Sequence, residues 1–470
     1  MMGSSATTDA VLDHESPEPK AIAAMSLQRY MTLVGWGLLV TTLGQTASIG
    51  YYPIRFLLKD KLGATPLMMA AFVAFTTLPW SFKPIAGLLS DGLPLFGSRR
   101  RWYLILSTGC AGLLWFAMGG VTSNYKALLW VTFLMNVMAA LASTVNGGLL
   151  VEGAQEHGAT GRLSSLRLVI INITSIVGLP VGGYLATKWF GWTALSAGLL
   201  FLSMVPVTLL LLREPRIAKT VGDASAFGNA WQQLVKVFKS PALWIAGGLF
   251  FLVQVAPGLY TPLLYYQTNT LKLNSQFIGN LGIIYGGMGL LASFVYPFVC
   301  GRFRLRTLLY FAITCTVLSN LSYLGYVSWK MALVVEGLAG MGLTLAQLPL
   351  FDLAARSTPR GSEALGYSLM IALWNIGLSL SDIIGSALFE KYNLTFMNLV
   401  WVNAGTTALV LVVIPFLPSR IVDKKEGQST AEVEVPSVAP APQRCPWAGC
   451  EAMNLGNATY CKQCGRLLNV

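Results

Sequence analysis

Residues 80–101 read WSFKPIAGLLSDGLPLFGSRRR. Lys83 and Pro84 interrupt an apolar run, and Asp91 opens a turn rich in glycine and arginine about two helical turns later. In a soluble protein this pattern would indicate a surface helix and a loop. Between apolar segments long enough to cross a bilayer, it indicates a charge at membrane depth followed by a basic hairpin outside the membrane.

The composition of the chain favours the membrane interpretation. Of 470 residues, 54% are hydrophobic and 11% are charged, whereas about a quarter of the residues in soluble domains are charged. A hydrocarbon core about 30 Å thick takes roughly 20 apolar residues per helical span. Such stretches recur up to about residue 417, so we predict one all-α membrane protein whose main surroundings are the lipid bilayer.

The apolar segments number twelve and fall into two groups of six, which is the arrangement of the major facilitator fold. We therefore expect a polar tail over residues 1–28, a six-helix bundle over 29–212, a connector over 213–241 and a second six-helix bundle over 242–417. The predicted spans are 29–53, 65–90, 102–121, 127–151, 163–186 and 192–212, and then 242–266, 276–300, 306–327, 330–353, 364–388 and 395–417.

The basic residues gather in alternate loops, such as those around residues 99–101, 213–219 and 302–306. By the positive-inside rule, this asymmetry predicts a cell membrane protein, in the plasma or inner membrane, with both termini in the cytoplasm. Lys59 and Lys61 do not follow the rule. The net charge of +12 is thus explained by the basic residues of the cytoplasmic loops. We therefore expect no nucleic acid partner.

Five ionisable residues lie inside predicted spans, where a charge is costly and marks a functional candidate. They are Lys83, Glu152, Arg167, Glu336 and Asp382. Basic groups in one half and acidic groups in the other could bind a zwitterionic or anionic solute and carry a proton. Alternatively, these residues pair with each other and hold the bundle together.

Polar residues at helical spacing extend this set. In span eleven, Asn375 and Asp382 fall on one face. In span seven, Gln254 and Tyr265 share a face with a Pro-Gly pair between them, so a broken helix is expected there. The tyrosine could contact a planar ring or belong to the aromatic belt at the membrane surface.

Three stretches carry a resemblance to a known family. KPIAGLLSDGLPLFGSRRRWYL (83–104), PGLYTPLLYYQTNTLKLNSQFIG (257–279) and STPRGSEALGYSLMIALWNIGLSLSDIIG (357–385) together resemble the folate-biopterin transporter family, a branch of the major facilitator superfamily. The resemblance covers essentially the whole membrane domain. It implies uptake of folates or pterins driven by a proton gradient.

The resemblance also implies roles for particular residues. Asp91 with the arginines 99–101 (Arg99, Arg100 and Arg101) is similar to a facilitator hairpin whose salt bridges gate the transporter. Glu363 begins span eleven, where it could take part in gating or cap the helix. The other matching positions are Lys83, Pro84, Glu152, Pro359, Gly361 and Asn375.

The chain departs from the family pattern in span four. Two aspartates are expected upstream of Glu152, but Ser143 and Gly147 stand at those positions. If the aspartates carry protons or bind the amines of the pterin, that site is lost or moved here. The substrate and the coupling ion therefore stay open.

The C-terminal region has a separate pattern. Residues 418–444 resemble a flexible linker, and four cysteines, Cys445, Cys450, Cys461 and Cys464, follow within residues 445–466. Two close thiol pairs about ten residues apart can form a tetrahedral zinc site. We predict a zinc ribbon with a structural zinc ion that binds a protein partner or stiffens the linker; two disulfides are the alternative.

Three functions remain open from the sequence. The leading one is a secondary active transporter of folate or pterin-like solutes that works by alternating access. The others are a facilitator for another organic anion or drug, and a membrane receptor or scaffold that signals through the zinc ribbon. An enzyme is the least expected class, because both histidines, His14 and His157, lie outside the predicted spans and the spans carry no nucleophile or metal constellation.

Overall fold

The structure is a computed structural model that describes residues 26–92, 95–98, 100–156, 160–212, 214, 235, 238–300, 302–357, 363–423, 443–444 and 453–454. The predicted N-terminal tail, most of the connector, most of the linker and the four cysteines of the ribbon lie outside the described residues. Arg99 also lies outside them.

The first half of the membrane domain consists of eight helices and two shorter helical turns. A π-helical turn, Leu57–Lys61, continues the second helix, and a 3-10 turn, Leu78–Phe82, joins the third to the fourth. The helices are α1 (Leu27–Leu43), α2 (Tyr51–Phe56), α3 (Pro66–Thr77), α4 (Lys83–Gly92), α5 (Arg101–Gly120), α6 (Tyr125–Glu156), α7 (Thr160–Ala186) and α8 (Phe190–Leu211).

The second half repeats this plan in part, since its second span is one continuous helix. Another π-helical turn, Tyr266–Thr270, continues its second helix. The helices are α9 (Pro241–Gln254), α10 (Tyr260–Tyr265), α11 (Ser275–Cys300), α12 (Leu305–Ser322), α13 (Trp329–Ser357), α14 (Glu363–Lys391), α15 (Phe396–Leu409) and α16 (Ser419–Val422). Two short antiparallel strands, β1 (Gln443–Arg444) and β2 (Met453–Asn454), follow.

Nine helices within the described residues are long and apolar enough to cross a membrane. The other three predicted spans, 29–53, 65–90 and 242–266, coincide with interrupted helices. The chain is thus an all-helical multi-pass membrane protein, and the number of twelve spans remains a prediction.

The break predicted in span seven is confirmed, because α9 ends at Gln254 and α10 begins at Tyr260. The backbone groups freed by the break are satisfied from other helices, as burial in a membrane requires. Gly258 N donates to Ser381 O over 2.7 Å, and Asn403 Nδ2 donates to Pro257 O over 2.7 Å. The break therefore docks span seven onto spans eleven and twelve.

Span one has the same break, which the sequence analysis did not predict. Helix α1 ends at Leu43 and α2 begins at Tyr51. In both halves the helix after the break carries a proline at its third position, YYPIRF in α2 and YTPLLY in α10, and a π-helical turn follows. Proline is tolerated in a first turn because the N–H that it lacks has no partner within the helix there. The interrupted helix is thus a repeated feature of the fold.

The halves pack against each other through spans two and eleven and through spans five and eight. Helices α7 and α11 are in tight contact at Gly183 and Gly279, where a Cβ built on either glycine would lie 2.7 Å from the Cα of the other. Leu264, Tyr265 and Ile278 of the second half are buried in the same hydrophobic core as the first half.

The contact between spans seven and eleven leaves no room for a side chain at Gly385. A Cβ at this position would lie 1.9 Å from the carbonyl oxygen of Gly258, which is backbone and cannot swing away. We expect Gly385→Ala to destabilise the protein by about 1–3 kcal/mol, the usual cost of overpacking, measured as a lower melting temperature of the purified protein. Gly405→Ala is the control, because a Cβ there meets no atom within 4 Å. Equal melting temperatures for the two variants would contradict the prediction.

Candidate functional site

A first cavity lies between the two halves and has a volume of about 220 Å³. Spans one, two and four of the first half and spans seven and eleven of the second half line it. Its charged lining residues are Arg55 and Asp382, and its aromatic lining residues are Tyr51, Phe72 and Tyr260. The lining hydroxyl groups belong to Thr46, Thr76, Thr77, Thr132 and Ser379.

A second cavity of about 480 Å³ lies between spans one, five, eight and ten. Its volume falls within the range of about 300–1,000 Å³ typical of small-molecule sites. Ala47 lines both cavities, and Gln45, Asn172 and Gln347 supply amide groups to the second. A third cavity of about 110 Å³ contains the predicted site residue Gln254.

Asp382 is buried at the break in span seven. Its Oδ1 accepts a hydrogen bond from Thr261 N over 2.9 Å, and its Oδ2 accepts one from Thr261 Oγ1 over 2.7 Å. These bonds place the carboxylate at the N-terminal end of α10, where the helix dipole favours negative charge. Asp382 and Ser379 both line the first cavity, and Asn375 is half-buried on the same helix.

Lys83 lies at the start of α4 and packs on the first half. Its Nζ is 3.0 Å from Ser143 Oγ and 4.5 Å from the ring centroid of Trp80. Trp80 Nε1 in turn donates to Asn136 Oδ1 over 2.8 Å. The partner of Lys83 is therefore the serine that stands where the family resemblance places an aspartate. A Cβ at Gly147, the second such position, meets open space.

Arg100 and Glu152, two predicted site residues, lie together at the end of the bundle that carries the hairpin between α4 and α5. We call this end the hairpin end. Arg100 Nη2 is 2.8 Å from Glu152 Oε1, and Arg100 Nη1 donates to Ser90 Oγ over 3.0 Å. Glu152 therefore pairs with the hairpin, and it is not among the residues that line the three cavities.

Glu214, at the end of span six, holds the start of α5. Its carboxylate accepts hydrogen bonds from the backbone N–H groups of Arg100 and Arg101 and from Ser98 Oγ. The hairpin turn itself needs positive φ at Phe96 (50°) and Gly97 (77°). The side chains of Asp91 and Glu363 lie outside the described part of the chain, so their gating roles remain predictions.

The second half has a corresponding contact at the start of α12. Arg306 Nε is 2.9 Å from Asp423 Oδ1, and Arg306 Nη2 is 3.3 Å from Ser419 Oγ. In each half, arginine residues at the start of the third span thus bind an acidic residue just beyond the sixth span. Glu214 binds the backbone of Arg100 and Arg101, and Asp423 binds the side chain of Arg306. The two halves therefore share this arrangement.

The opposite end of the bundle is closed by contacts that cross between the halves. Tyr265 OH donates to Ala64 O, and Tyr52 OH donates to Ile278 O over 3.3 Å. Glu390 Oε2 accepts from Leu67 N over 2.8 Å. We call this set of contacts the seal. Tyr265, a predicted substrate-binding residue, belongs to it.

Glu336 and Arg167 are the remaining predicted site residues. Glu336 is buried and accepts a hydrogen bond from Tyr326 OH over 3.2 Å, and Gln267 Nε2 bonds the same hydroxyl over 2.5 Å. Arg167 has an exposed side chain on α7. Neither is among the lining residues of the three cavities.

Arg55 and Glu214 are candidate functional residues that were not predicted from the sequence. Arg55 lies two residues beyond the predicted end of span one, so it was not counted as a charge inside the membrane. The match between YYPIRF and YTPLLY would have indicated that span one continues past residue 53. Glu214 has no local signal, because its partners are more than 110 residues away.

A sequence profile of the BT1 family matches residues 44–434. The chain belongs to the BT1 family. One relative, the folate-biopterin transporter of Synechocystis sp., is 30% identical over 395 residues, which cover 77% of this chain and 76% of the relative. Another relative, the probable folate-biopterin transporter 4 of Arabidopsis thaliana, is 25% identical over 412 residues, which cover 71% of this chain and 84% of the relative. The resemblance seen in the sequence is thereby confirmed. The relatives of this BT1 family member are transporters, and it is not an enzyme.

Solved structures confirm a fold similar to that of major facilitators. The nucleoside transporter NupG superimposes with a TM-score of 0.65 at 15% identity, covering 84% of this chain and 99% of NupG. A D-xylose-proton symporter superimposes with a TM-score of 0.64 at 14% identity, covering 83% of this chain and 98% of the symporter. At such low identity the likeness concerns the fold alone.

Proposed function

We propose that this BT1 family protein is a secondary active transporter of folate or pterin-like solutes. The observation that carries the proposal is the first cavity, which lies between the two halves and is lined by both. Charged, hydroxyl and aromatic side chains line it together, and such a mixture suits a planar heterocycle with polar edges. The names of the relatives point to the same class of solute.

The transport cycle we propose is alternating access across this cavity. The seal joins the halves at one end through Tyr52, Tyr265 and Glu390. At the hairpin end, the described ion pairs, Arg100–Glu152 and Arg306–Asp423, each lie within one half. Rocking of the halves would break the seal and leave these pairs intact, because each pair moves with its own half.

The distribution of basic loops supports a cytoplasmic position for the hairpin end. With that orientation in the cell membrane, the twelve spans of the proposed topology bring both termini to the cytoplasm, and the conformation described here is closed to the outside. Proton-coupled uptake is the direction we propose, with Asp382 as the residue that carries the proton.

Transport by the purified protein in proteoliposomes tests the function. We expect accumulation of radiolabelled folate or pterin when a pH gradient is imposed, and no accumulation in liposomes without protein. Failure of every folate and pterin to accumulate or exchange would overturn the proposal. Accumulation of a different organic anion would favour the alternative facilitator, which the serine and glycine at positions 143 and 147 keep open.

For the C-terminal region we propose a zinc ribbon in which Cys445, Cys450, Cys461 and Cys464 hold a structural zinc ion. In support, the pairing of β1 with β2 brings together the chain on either side of the Cys445 and Cys450 segment. A ribbon of this kind is suited to a protein partner, and a role in signalling is the alternative function for the whole chain.

Zinc analysis and a deletion test the ribbon. We expect about one zinc per chain, as four thiolates form one closed site, and loss of this zinc on deletion from residue 424 onward. That point retains Asp423, the partner of Arg306. Transport is expected to survive the deletion. A zinc content far below one per chain, with four reactive thiols in the tail, would contradict the ribbon.

A further inference from the structure

Arg55 is a buried cation with unused hydrogen-bonding capacity. It lies in α2, is 7% exposed and lines the first cavity. Its guanidinium carbon lies 3.7 Å from the ring centroid of Tyr51, and its Nη1 lies 3.5 Å from Tyr51 O. Its Nε has no hydrogen-bond partner. The side chain is thus held in place by an aromatic ring, while donors remain free for a ligand.

Arg55 also forms no ion pair within 4 Å among the residues that the structure describes. The ion pairs there are Lys59–Asp60, Arg100–Glu152 and Arg306–Asp423. Asp382 lines the same cavity, where its oxygens accept hydrogen bonds from Thr261 and not from Arg55, so the guanidinium keeps donors for a second negative group. A buried charge is costly unless it is paired, so a negative group from a ligand would stabilise Arg55.

The fold itself does not require this arginine. Helix α10 has the same break before it, the same proline at its third position and the same π-helical turn after it as α2. Its fifth position, which corresponds to Arg55, is Leu264. Since leucine serves at the equivalent position, the arginine in the first half has a reason other than local structure.

We propose that Arg55 binds a carboxylate of the transported solute, so that the protein selects pteridines carrying a carboxylate over neutral pterins. The proposal rests on the proposed function and deepens it by naming the anionic group. A guanidinium donates two parallel N–H bonds to a carboxylate, and Tyr51 and Tyr260 line the same cavity, where an aromatic heterocycle can contact their rings.

Binding to the purified full-length protein tests the proposal with two ligands. Folate carries carboxylates, and 6-hydroxymethylpterin has the same ring system without one. We expect Arg55→Gln to weaken folate binding between about 10-fold and about 100-fold, the range for losing a charged hydrogen bond, and to leave 6-hydroxymethylpterin binding unchanged. Retained pterin binding also shows that the variant is folded.

Lys59→Gln is the matched control. It removes the same charge four positions further along the same span, where Lys59 pairs with Asp60. We expect this variant to bind both ligands like the wild type. Arg55→Lys keeps the charge and loses the planar fork, so its affinity for folate should fall between those of Arg55→Gln and the wild type.

A comparison on the wild-type protein does not depend on any variant. Pteroate should bind at least about tenfold more tightly than its carboxamide, because only pteroate offers the negative charge. Equal affinity for these two ligands would overturn the inference, as would a folded Arg55→Gln with unchanged folate affinity, and both results leave the proposed function standing. If the wild type binds neither folates nor pterins, the proposed function fails, and the inference fails with it.

Discussion

Asp382→Asn is expected to abolish the proton-driven accumulation of the solute while exchange of solute across the membrane continues. Asparagine has nearly the same shape as aspartate, and its oxygen can still accept the hydrogen bond from Thr261 N. It cannot take up or release a proton. Uptake should therefore fall to the level reached without a pH gradient, whereas counterflow of labelled against unlabelled solute should persist.

Two further variants show whether this effect belongs to Asp382. Asp382→Ala removes both acceptors and leaves Thr261 N and Oγ1 without these partners, which costs about 1–3 kcal/mol for a buried group; it should lose stability as well as transport. Glu336→Gln changes a second buried carboxylate among the described residues of the second half. If proton-driven accumulation of the solute persists in Asp382→Asn and is lost in Glu336→Gln, then Glu336, and not Asp382, carries the proton.

Arg100→Gln is expected to lower the free energy of unfolding by about 2 kcal/mol, since it breaks a partly buried ion pair. The side chain of Arg100 is 7% exposed and that of Glu152 is 42% exposed, so the cost lies between those of a buried pair and a surface pair. The backbone N–H of residue 100 keeps its hydrogen bond to Glu214. The change in the free energy of unfolding therefore reflects only the lost side-chain contacts of Arg100. The melting temperature of the purified protein measures the change.

The second half provides a matched comparison for this ion pair. Arg306→Gln breaks the corresponding pair with Asp423, where the side chains are 28% and 37% exposed, and should cost less than about 1 kcal/mol. In a double-mutant cycle of Arg100→Gln with Glu152→Gln, we expect a coupling of at least about 1 kcal/mol. Additive effects of the two changes would show that the pair contributes nothing to stability.

Much of the membrane architecture could be read from the sequence. Apolar length alone located the nine spans that form helices long and apolar enough to cross a membrane, since lipid imposes a minimum length on any helix that crosses it. The Pro-Gly pair in span seven predicted its break, because proline and glycine disfavour a continuous helix. The motifs in spans two, seven and eleven led to the correct family.

The candidate site was only partly predictable. Asp382 was recognised because a carboxylate in an apolar span stands out in the sequence. Glu152 stands out in the same way, but the structure pairs it with Arg100. Arg55 was overlooked because it lies two residues beyond the predicted end of span one. A charge can be seen in a sequence, but its partner cannot when the two lie far apart in the chain.

In the stretch at residues 80–101, too, some features follow from the sequence and others only from the tertiary structure. By itself the sequence predicted a charge at membrane depth at Lys83 and determined that a basic hairpin follows, since both depend on composition and on the length of the flanking spans. Only the tertiary structure decided that Lys83 bonds Ser143 and that Arg100 bonds Glu152. These partners lie more than 50 residues away along the chain, and which helix faces meet is set by the packing of the whole bundle.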